Sequence, residues 1–262
     1  LPTLAALGCG GAPSGGATAD LVLRNGTIAT VDDERPEAEA LAAAGDTILA
    51  VGSDQEIGAY VGPDTRVVDL EGRRAVPGFV ESHGHFMGLG RAQMQLDLLG
   101  TGSWDEIVAM VDSAADAAEP GAWILGRGWH QEKWTGEPAR TVEGFPTLDR
   151  LNEVAPDNPV SLVHASGHAA IASAGALERA GVGPETESPE GGRIVRDPEG
   201  RATGVLVDEA EGLVQEAVER SRQGMSPQAR LRLEVRRARL AAREALRKGV
   251  TSFHDQGASL ET

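Results

Sequence analysis

The feature that most constrains this chain is a His-Gly-His sequence, His83 to His85, which follows the short apolar segment Phe79-Val80. Side chains alternate between the two faces of a β-strand, so His83 and His85 should point the same way if residues 79–85 are extended. Two imidazoles on one face can both reach a single divalent cation, whose bonds to nitrogen are about 2.0–2.1 Å long. Gly84 between them carries no side chain that would crowd the ion. The segment therefore predicts two ligands of a metal site at the end of a strand.

Residues 20–76 contain short apolar segments separated by turn residues, which is typical of β-strands. Asn25-Gly26 lies in the middle of residues 21–30 and favours a hairpin turn, because both turn positions need a positive φ. Residues 40–51 predict a second hairpin. Short strands this close together favour a small β-sandwich, and we expect a sheet of this size to need further strands from elsewhere in the chain.

From residue 77 onward the pattern changes to strands that alternate with helices, and Pro77-Gly78 marks the boundary between the two domains. Apolar strands that alternate with helices favour a parallel sheet, either open or closed as a barrel. The strands are predicted over residues 79–85, 123–126, 159–164 and 249–255, and the main helices over residues 103–118, 169–180, 209–220 and 227–248.

The beginning of the chain is similar to the end of a bacterial lipoprotein signal peptide, since residues 1–9 are apolar and end at Cys9. A spacer rich in Gly, Ser and Ala follows at residues 10–19, as in a flexible tether. We therefore predict that residues 1–19 are a signal remnant and tether, and that Cys9 is lipidated. The protein would then be an exported bacterial lipoprotein, anchored to the membrane on the periplasmic side or the cell surface. The alternative is an ordinary terminus with a free or buried thiol.

The charge balance of the chain bears on its partners. Lys and Arg number 24 against 40 Asp and Glu, a formal charge of −16, which argues against nucleic acid as a partner. Apolar residues make up 40% of the chain, but no apolar run is long enough to span a bilayer. We expect a small-molecule substrate, and contact with the membrane only through the lipid at Cys9. Homo-oligomerisation stays open. The chain begins at Leu1 and ends without a closing element, so we expect it to be a fragment.

Seven short segments together resemble the amidohydrolase superfamily, specifically the amidohydrolase 3 group that includes formamide deformylase-like enzymes. The resemblance implies an α/β fold in which residues 77–262 form the first part of a TIM-like (β/α)8 barrel. It also implies that residues 20–76 are the N-terminal strands of a composite β-sandwich built from both ends of a longer chain. The matching segments are residues 19–28, 76–86, 126–129, 148–149, 167–169, 191–192 with 204–206, and 249–255.

The resemblance also implies a chemistry, the hydrolysis of carbon–nitrogen bonds in small non-peptide amides by metal-activated water. His83 and His85 would bind a divalent metal, with zinc as the expected ion. Neither Lys133 nor Lys248 lies in a strand that could supply a bridging lysine. The other ligands and the catalytic acid are therefore expected beyond residue 262, and residues 1–262 alone are expected not to turn over substrate.

Four further residues are candidates for substrate binding or for positions near the metal: Trp129, His168, His254 and Asp255. Each has a structural alternative, such as packing or a hydrogen bond within the fold, and His164 is expected in the core or the barrel lumen. Two other functions stay open at this point. One is a non-catalytic, surface-tethered binding lipoprotein with an amidohydrolase-like barrel. The other is an esterase or lactonase with the same metal centre.

Overall fold

The computed structural model describes residues 17–257, which divide into two compact units on either side of the Phe79–Val80 junction. Cys9 and its predicted lipidation lie outside the described residues. No helix within the described part of the chain is both long and apolar enough to cross a membrane.

The first unit contains two small sheets and a short helix. One sheet has the strand order β5-β4-β1-β6 and the other the order β3-β2-β7. Buried Val22, Ala40, Ala42 and Ile57 form the core under the larger sheet. The elements are β1 (Leu21–Arg24), β2 (Thr27–Ala29), β3 (Glu37–Ala38), β4 (Ala40–Ala44), β5 (Thr47–Gly52), α1 (Asp54–Ile57), β6 (Arg66–Asp69) and β7 (Arg74–Ala75).

Of the two predicted hairpins in this unit, only the second forms. Strands β4 and β5 pair antiparallel, whereas β1 pairs with β4 and β6, and β2 pairs with β3 and β7. The turn between β1 and β2 has a positive φ at Asn25 alone, and the side-chain amide of Asn25 donates to Asp69 at 2.7 Å. A Cβ on Gly26 would lie 2.5 Å from the carbonyl oxygen of Arg73. The prediction of a hairpin at residues 21–30 was wrong because this turn leads the chain from one sheet to the other.

The second unit, together with the strand that crosses the junction, contains helices and two sheets that carry most of the candidate residues. Its elements are β8 (Phe79–Gly84), α2 (Phe86–Ala92), β9 (Leu96–Asp97), α3 (Trp104–Asp116), β10 (Ile124–Trp129), β11 (Thr141–Val142), β12 (Phe145–Pro146), α4 (Asp149–Val154), β13 (Val160–His164), β14 (Ala169–Ala172), α5 (Ala174–Ala180), β15 (Gly192–Arg196), β16 (Ala202–Asp208), α6 (Glu211–Gln223), α7 (Pro227–Arg247) and β17 (Val250–Asp255).

The larger sheet of this unit has six strands in the order β15-β16-β14-β13-β10-β9. Strands β9, β10 and β13 run parallel, and β14, β16 and β15 continue the sheet antiparallel. Its main core contains Ile107 of α3 with Trp129, Leu162 and Ile171 of three adjacent strands, each of them fully buried. Helix α3 and the sheet thus share one buried core.

Strand β8 belongs to a different sheet, where it pairs with β17. The mixed α/β class is as predicted, but the prediction that the strands at 123–126 and 159–164 follow β8 in one barrel sheet was wrong. Their apolar sequences correctly indicate buried strands, yet strand neighbours depend on distant partners that local patterns do not specify. Within the described residues, β17 is the strand that lies beside β8.

The helices predicted over residues 103–118, 209–220 and 227–248 are confirmed to within a few residues at their ends. Ser103 and Ser226 cap α3 and α7, and Pro227 occupies the first turn of α7. The single helix predicted over residues 169–180 was wrong, because residues 169–172 form β14, buried between β13 and β16, and the helix begins only after its cap Ser173. Alanine favours helices, but this preference is weak beside the strand pairing on both sides of residues 169–172.

Candidate metal centre and neighbouring polar groups

Strand β8 brings the two histidines of the His-Gly-His sequence together. His83 lies in the strand and His85 follows it directly as the first residue of the turn into α2. Their ring centroids are 6.1 Å apart with the planes at 80°, and both side chains are exposed. Both rings are therefore accessible to a ligand from solvent.

The neighbouring strand β17 supports the backbone around His85. The carboxylate of Asp255 accepts hydrogen bonds from the backbone N–H of Phe86 at 2.8 Å and of Gly257 at 2.7 Å. The backbone N–H of Gln256 donates to the carbonyl of Gly84 at 2.9 Å. Asp255 is half-buried. These bonds hold the segment after β17 against the segment that carries His85.

Two glycines allow this close packing. A Cβ on Gly84 would lie 2.4 Å from the ring of Phe253, which itself packs edge-on against Phe86 with centroids 5.3 Å apart. Gly84 therefore makes room for Phe253, not for an ion as the sequence suggested. A Cβ on Gly257 would lie 2.9 Å from Nδ1 of His85. A residue larger than glycine would therefore clash at either position, with Phe253 or with His85.

The donor set fits part of a metal site. Imidazole nitrogens are common ligands of zinc, bound at about 2.0–2.1 Å, and the rings of His83 and His85 are neighbours with centroids 6.1 Å apart. Residues 17–257 contain no group of three His, Cys, Asp or Glu residues that could hold a metal ion. A catalytic zinc takes three protein ligands, so His83 and His85 fit as an incomplete set.

Of the remaining sequence candidates, His254 and Asp255 lie on β17, beside the two histidines, and His254 is exposed. Trp129, His164 and His168 instead belong to the six-stranded sheet or its connections. The structure therefore divides the candidates into a group on the β8–β17 sheet and a group on the larger sheet.

Trp129 lies at the end of β10 and is fully buried. Its indole N–H donates to the carbonyl of Leu162 at 2.8 Å, and its ring stands edge-on to His164 with centroids 4.6 Å apart. Nδ1 of His164 accepts the backbone N–H of Ser166 at 3.1 Å, which places the ring proton on Nε2. Burial, with a smaller effect from His130, lowers the pKa of His164. This histidine is therefore neutral at physiological pH.

His168 stands at a polar cluster that the sequence did not indicate. Its Nδ1 lies 3.0 Å from a carboxylate oxygen of Asp208, and both side chains are largely exposed. Nearby Glu211, the first residue of α6, is only 5% exposed, and its Oε2 has no hydrogen-bond partner among the described residues. Burial, reinforced by Asp208 and opposed by His168 and Arg127, raises the pKa of Glu211 to about 7. A glutamate in the first turn of a helix is too common for sequence reasoning to single out.

Comparison with known proteins identifies the family of the chain. The sequence pattern of the amidohydrolase family matches residues 66–262, more than half of the chain. The chain belongs to the amidohydrolase family, as its motifs had indicated. It is 38% identical over 247 residues to Protein LONG AFTER FAR-RED 3 of Arabidopsis thaliana, a match that covers 94% of this chain and 40% of that protein.

Bacterial relatives are similar at a lower level. The chain is 33% identical over 200 residues to the N-substituted formamide deformylase of Arthrobacter pascens, a match that covers 76% of this chain and 36% of that protein. Among solved structures, a metal-dependent hydrolase from Pyrococcus furiosus has a TM-score of 0.59 at 22% identity, over 89% of this chain and 43% of that one. This likeness shows a shared fold. The chain spans about two fifths of the length of the relatives that it matches.

Proposed function

We propose that this chain is part of a metal-dependent hydrolase that cleaves carbon–nitrogen bonds in small non-peptide amides. The observation that carries the proposal is the pair of exposed histidine rings, 6.1 Å apart, at the end of β8. Membership of the amidohydrolase family supports the reaction class, and the relative named as an N-substituted formamide deformylase supports an amide as the substrate class.

In this proposal His83 and His85 hold a divalent metal, with zinc as the expected ion, through their ring nitrogens. A divalent metal in such a site lowers the pKa of water to near 7 and polarises a carbonyl group. Asp255 keeps the backbone of Phe86 in place through its hydrogen bond, so that His85 keeps its orientation. Further ligands and the group that moves the proton would come from outside the described residues.

The complete architecture in this proposal is a (β/α)8 barrel in which β8 and β17 are neighbouring strands. Active-site residues of such barrels lie at the carboxyl ends of the strands. His83 lies near the end of β8, His85 directly follows that strand, and Asp255 is the last residue of β17. The six-stranded sheet would then be an addition to the barrel. Exposed His168 is proposed as a contact for the substrate from that sheet, and buried Trp129 as a support behind it.

Lipidation of Cys9 and export remain part of the proposal, together with inactivity of residues 1–262 alone. Mass spectrometry of the N-terminal peptide of protein prepared from the native host tests the first point, since an unmodified Cys9 would contradict it. A hydrolysis assay of residues 1–262 beside the full-length protein tests the second.

The central experiment measures metal content and hydrolysis in the full-length protein. We expect stoichiometric metal after dialysis, loss of that metal in His83→Ala and His85→Ala, and release of amine from small N-formyl or N-acyl amides. His168→Ala is the matched control for metal content, because it removes an exposed histidine of the other sheet. Retention of full metal content by His83→Ala would overturn the assignment.

The same assay separates the alternative functions. Preferential cleavage of esters or lactones would replace the amide substrate with an esterase or lactonase reaction while leaving the metal centre intact. Metal bound without hydrolysis of any substrate in the panel would favour a binding protein.

A further inference from the structure

A cleft lined by arginines lies between α2, α6 and α7, although the chain as a whole carries a formal charge of −16. Three adjoining cavities of about 650, 630 and 380 Å³ share Arg91 and Arg222 in their walls. Six arginines and three glutamates line them, so the cleft has a formal charge of +3 against the sign of the chain. The arginines are Arg91, Arg127, Arg222, Arg230, Arg236 and Arg237.

Three of these arginines converge from three different helices. Arg91 lies in the last turn of α2 and is exposed, and the Arg222 side chain near the end of α6 is 23% exposed. Arg237 in the middle of α7 is only 8% exposed. Helices α2 and α7 approach so closely that a Cβ on Gly90 would lie 2.1 Å from the carbonyl oxygen of Arg237. This close approach of the two helices brings the backbone of Arg91 next to the backbone of Arg237.

The nearby glutamates do not use all the donors of these arginines. Arg237 donates to Glu234 at 2.6 Å through one terminal nitrogen, while its buried Nε has no partner among the described residues. Arg222 contacts Glu219 at the longer distance of 3.4 Å. Arg91 makes no ion pair within residues 17–257. Several charged donors are therefore available in one partly buried space.

The electrostatic effect on Arg222 agrees with this excess of positive charge. Burial, followed by repulsion from Arg237 and Arg91, lowers the pKa of Arg222. A simpler role for Arg222 is to stabilise the C-terminus of α6, where cations are favourable. That role does not explain Arg237, which lies in the middle of α7, ten residues before the helix ends at Arg247.

We propose that this cleft binds an oxyanion, of phosphate or carboxylate chemistry, between Arg91, Arg222 and Arg237. The planar guanidinium group offers paired N–H donors that match the oxygens of such groups, and hydrogen bonds between charged partners are short and strong. Bound negative charge would offset the mutual repulsion of the three arginines. None of the proposed metal ligands lines the cleft, so the inference goes beyond the proposed hydrolysis and does not depend on it.

The test is thermal unfolding of the full chain during titration with inorganic phosphate, and separately with succinate, against chloride at matched ionic strength. Matching is needed because added salt also screens charges without specific binding. We expect a saturable rise of the unfolding midpoint with phosphate or succinate, and the stronger of the two identifies the chemistry of the anion. Arg91→Gln and Arg222→Gln should each weaken the apparent affinity by about tenfold or more, as expected for loss of a charged hydrogen bond.

Arg243→Gln is the matched control, because Arg243 is an exposed arginine of the same helix as Arg237 and does not line the cavities. The Arg243→Gln protein should bind the anion with the same apparent affinity as the unmodified protein. Circular dichroism of each variant shows whether it is folded before titration. The proposal is overturned if neither anion raises the midpoint beyond the chloride control. It is also overturned if the folded Arg91→Gln and Arg222→Gln proteins respond like Arg243→Gln.

Discussion

The carboxylate of Asp255 accepts a hydrogen bond from the backbone N–H of Phe86 at 2.8 Å, although the two residues are 169 positions apart in the sequence. The same carboxylate also binds the backbone N–H of Gly257. A single side chain therefore connects the end of β17 to the residue that follows His85. This connection holds the backbone next to His85, the second histidine of the proposed metal-binding pair.

Replacement of Asp255 by Ala should therefore affect both stability and metal affinity. Two backbone N–H groups lose a charged acceptor, which should lower the free energy of unfolding by about 1–3 kcal/mol. Loss of a residue that orients a metal ligand typically lowers metal affinity by about 10–100-fold, and we expect a loss in that range for Asp255→Ala. Urea denaturation and competition with a chelator measure the two effects. Asp112→Ala, at an exposed position of α3, should change neither.

Gly84→Ala should destabilise the sheet formed by β8 and β17, because the new methyl group would lie 2.4 Å from the ring of Phe253. Overpacking of this kind costs about 1–3 kcal/mol in the free energy of unfolding. The double variant with Phe253→Leu should recover part of that loss, which a double-mutant cycle would detect. Gly100→Ala is the control, since a Cβ there meets no atom within 4 Å. Strictly additive effects would show that the clash does not occur.

Glu211 should make the stability of the fold depend on pH. Its pKa is raised from 4.5 to about 7, so the unfolded chain releases this proton at lower pH than the folded chain does. The contribution of Glu211 to the free energy of unfolding should then fall as the pH rises from about 4.5 to about 7, by up to about 3 kcal/mol in total, and stay level above. His164, whose pKa is lowered, acts in the opposite direction in part of this range.

The measurement for Glu211 is urea denaturation across this range for the unmodified protein, Glu211→Gln and Glu216→Gln. Glu211→Gln should lose the part of the pH dependence that Glu211 contributes and be the more stable protein at pH 8. Glu216 lies in the same helix but is exposed, so Glu216→Gln should keep the dependence. An identical pH profile for the unmodified protein and Glu211→Gln would show that Glu211 ionises normally in the fold.

Variants of Trp129 distinguish a structural role of this residue from direct contact with the substrate. Because it is fully buried, Trp129→Ala should lower the free energy of unfolding by about 3–5 kcal/mol. Trp129→Phe keeps most of the apolar contact but leaves the carbonyl of Leu162 without its donor, at a cost of about 1–3 kcal/mol. For the proposed hydrolysis reaction, assayed on the full-length protein, Trp129→Phe should leave KM unchanged. A large change in KM with unchanged stability would instead place Trp129 at the substrate.

Local sequence patterns are sufficient to indicate part of the candidate site. His83 and His85 follow from a two-residue spacing at the end of an apolar strand, and that strand ends at Gly84, between the two histidines. Asp255 was among the candidates for a position near the metal, but its hydrogen bond to Phe86 did not follow, because β17 and β8 are far apart in sequence and several strands could have paired with β8. Glu211 was missed for a related reason, since its burial depends on how α6 packs against residues of other elements.

By itself, the sequence determined the family, the type of most elements and the pair of histidines. These depend on spacing, caps and turn residues within a few positions of one another, where local sterics and hydrogen bonds dominate. Only the tertiary structure decided that β10 and β13 join the six-stranded sheet and not the sheet of β8. It also decided that Asp255 holds the backbone N–H of Phe86, the residue after His85. The reason is that strand pairing depends on the apolar surface buried between distant segments. A local sequence pattern does not contain the total area that such segments bury together.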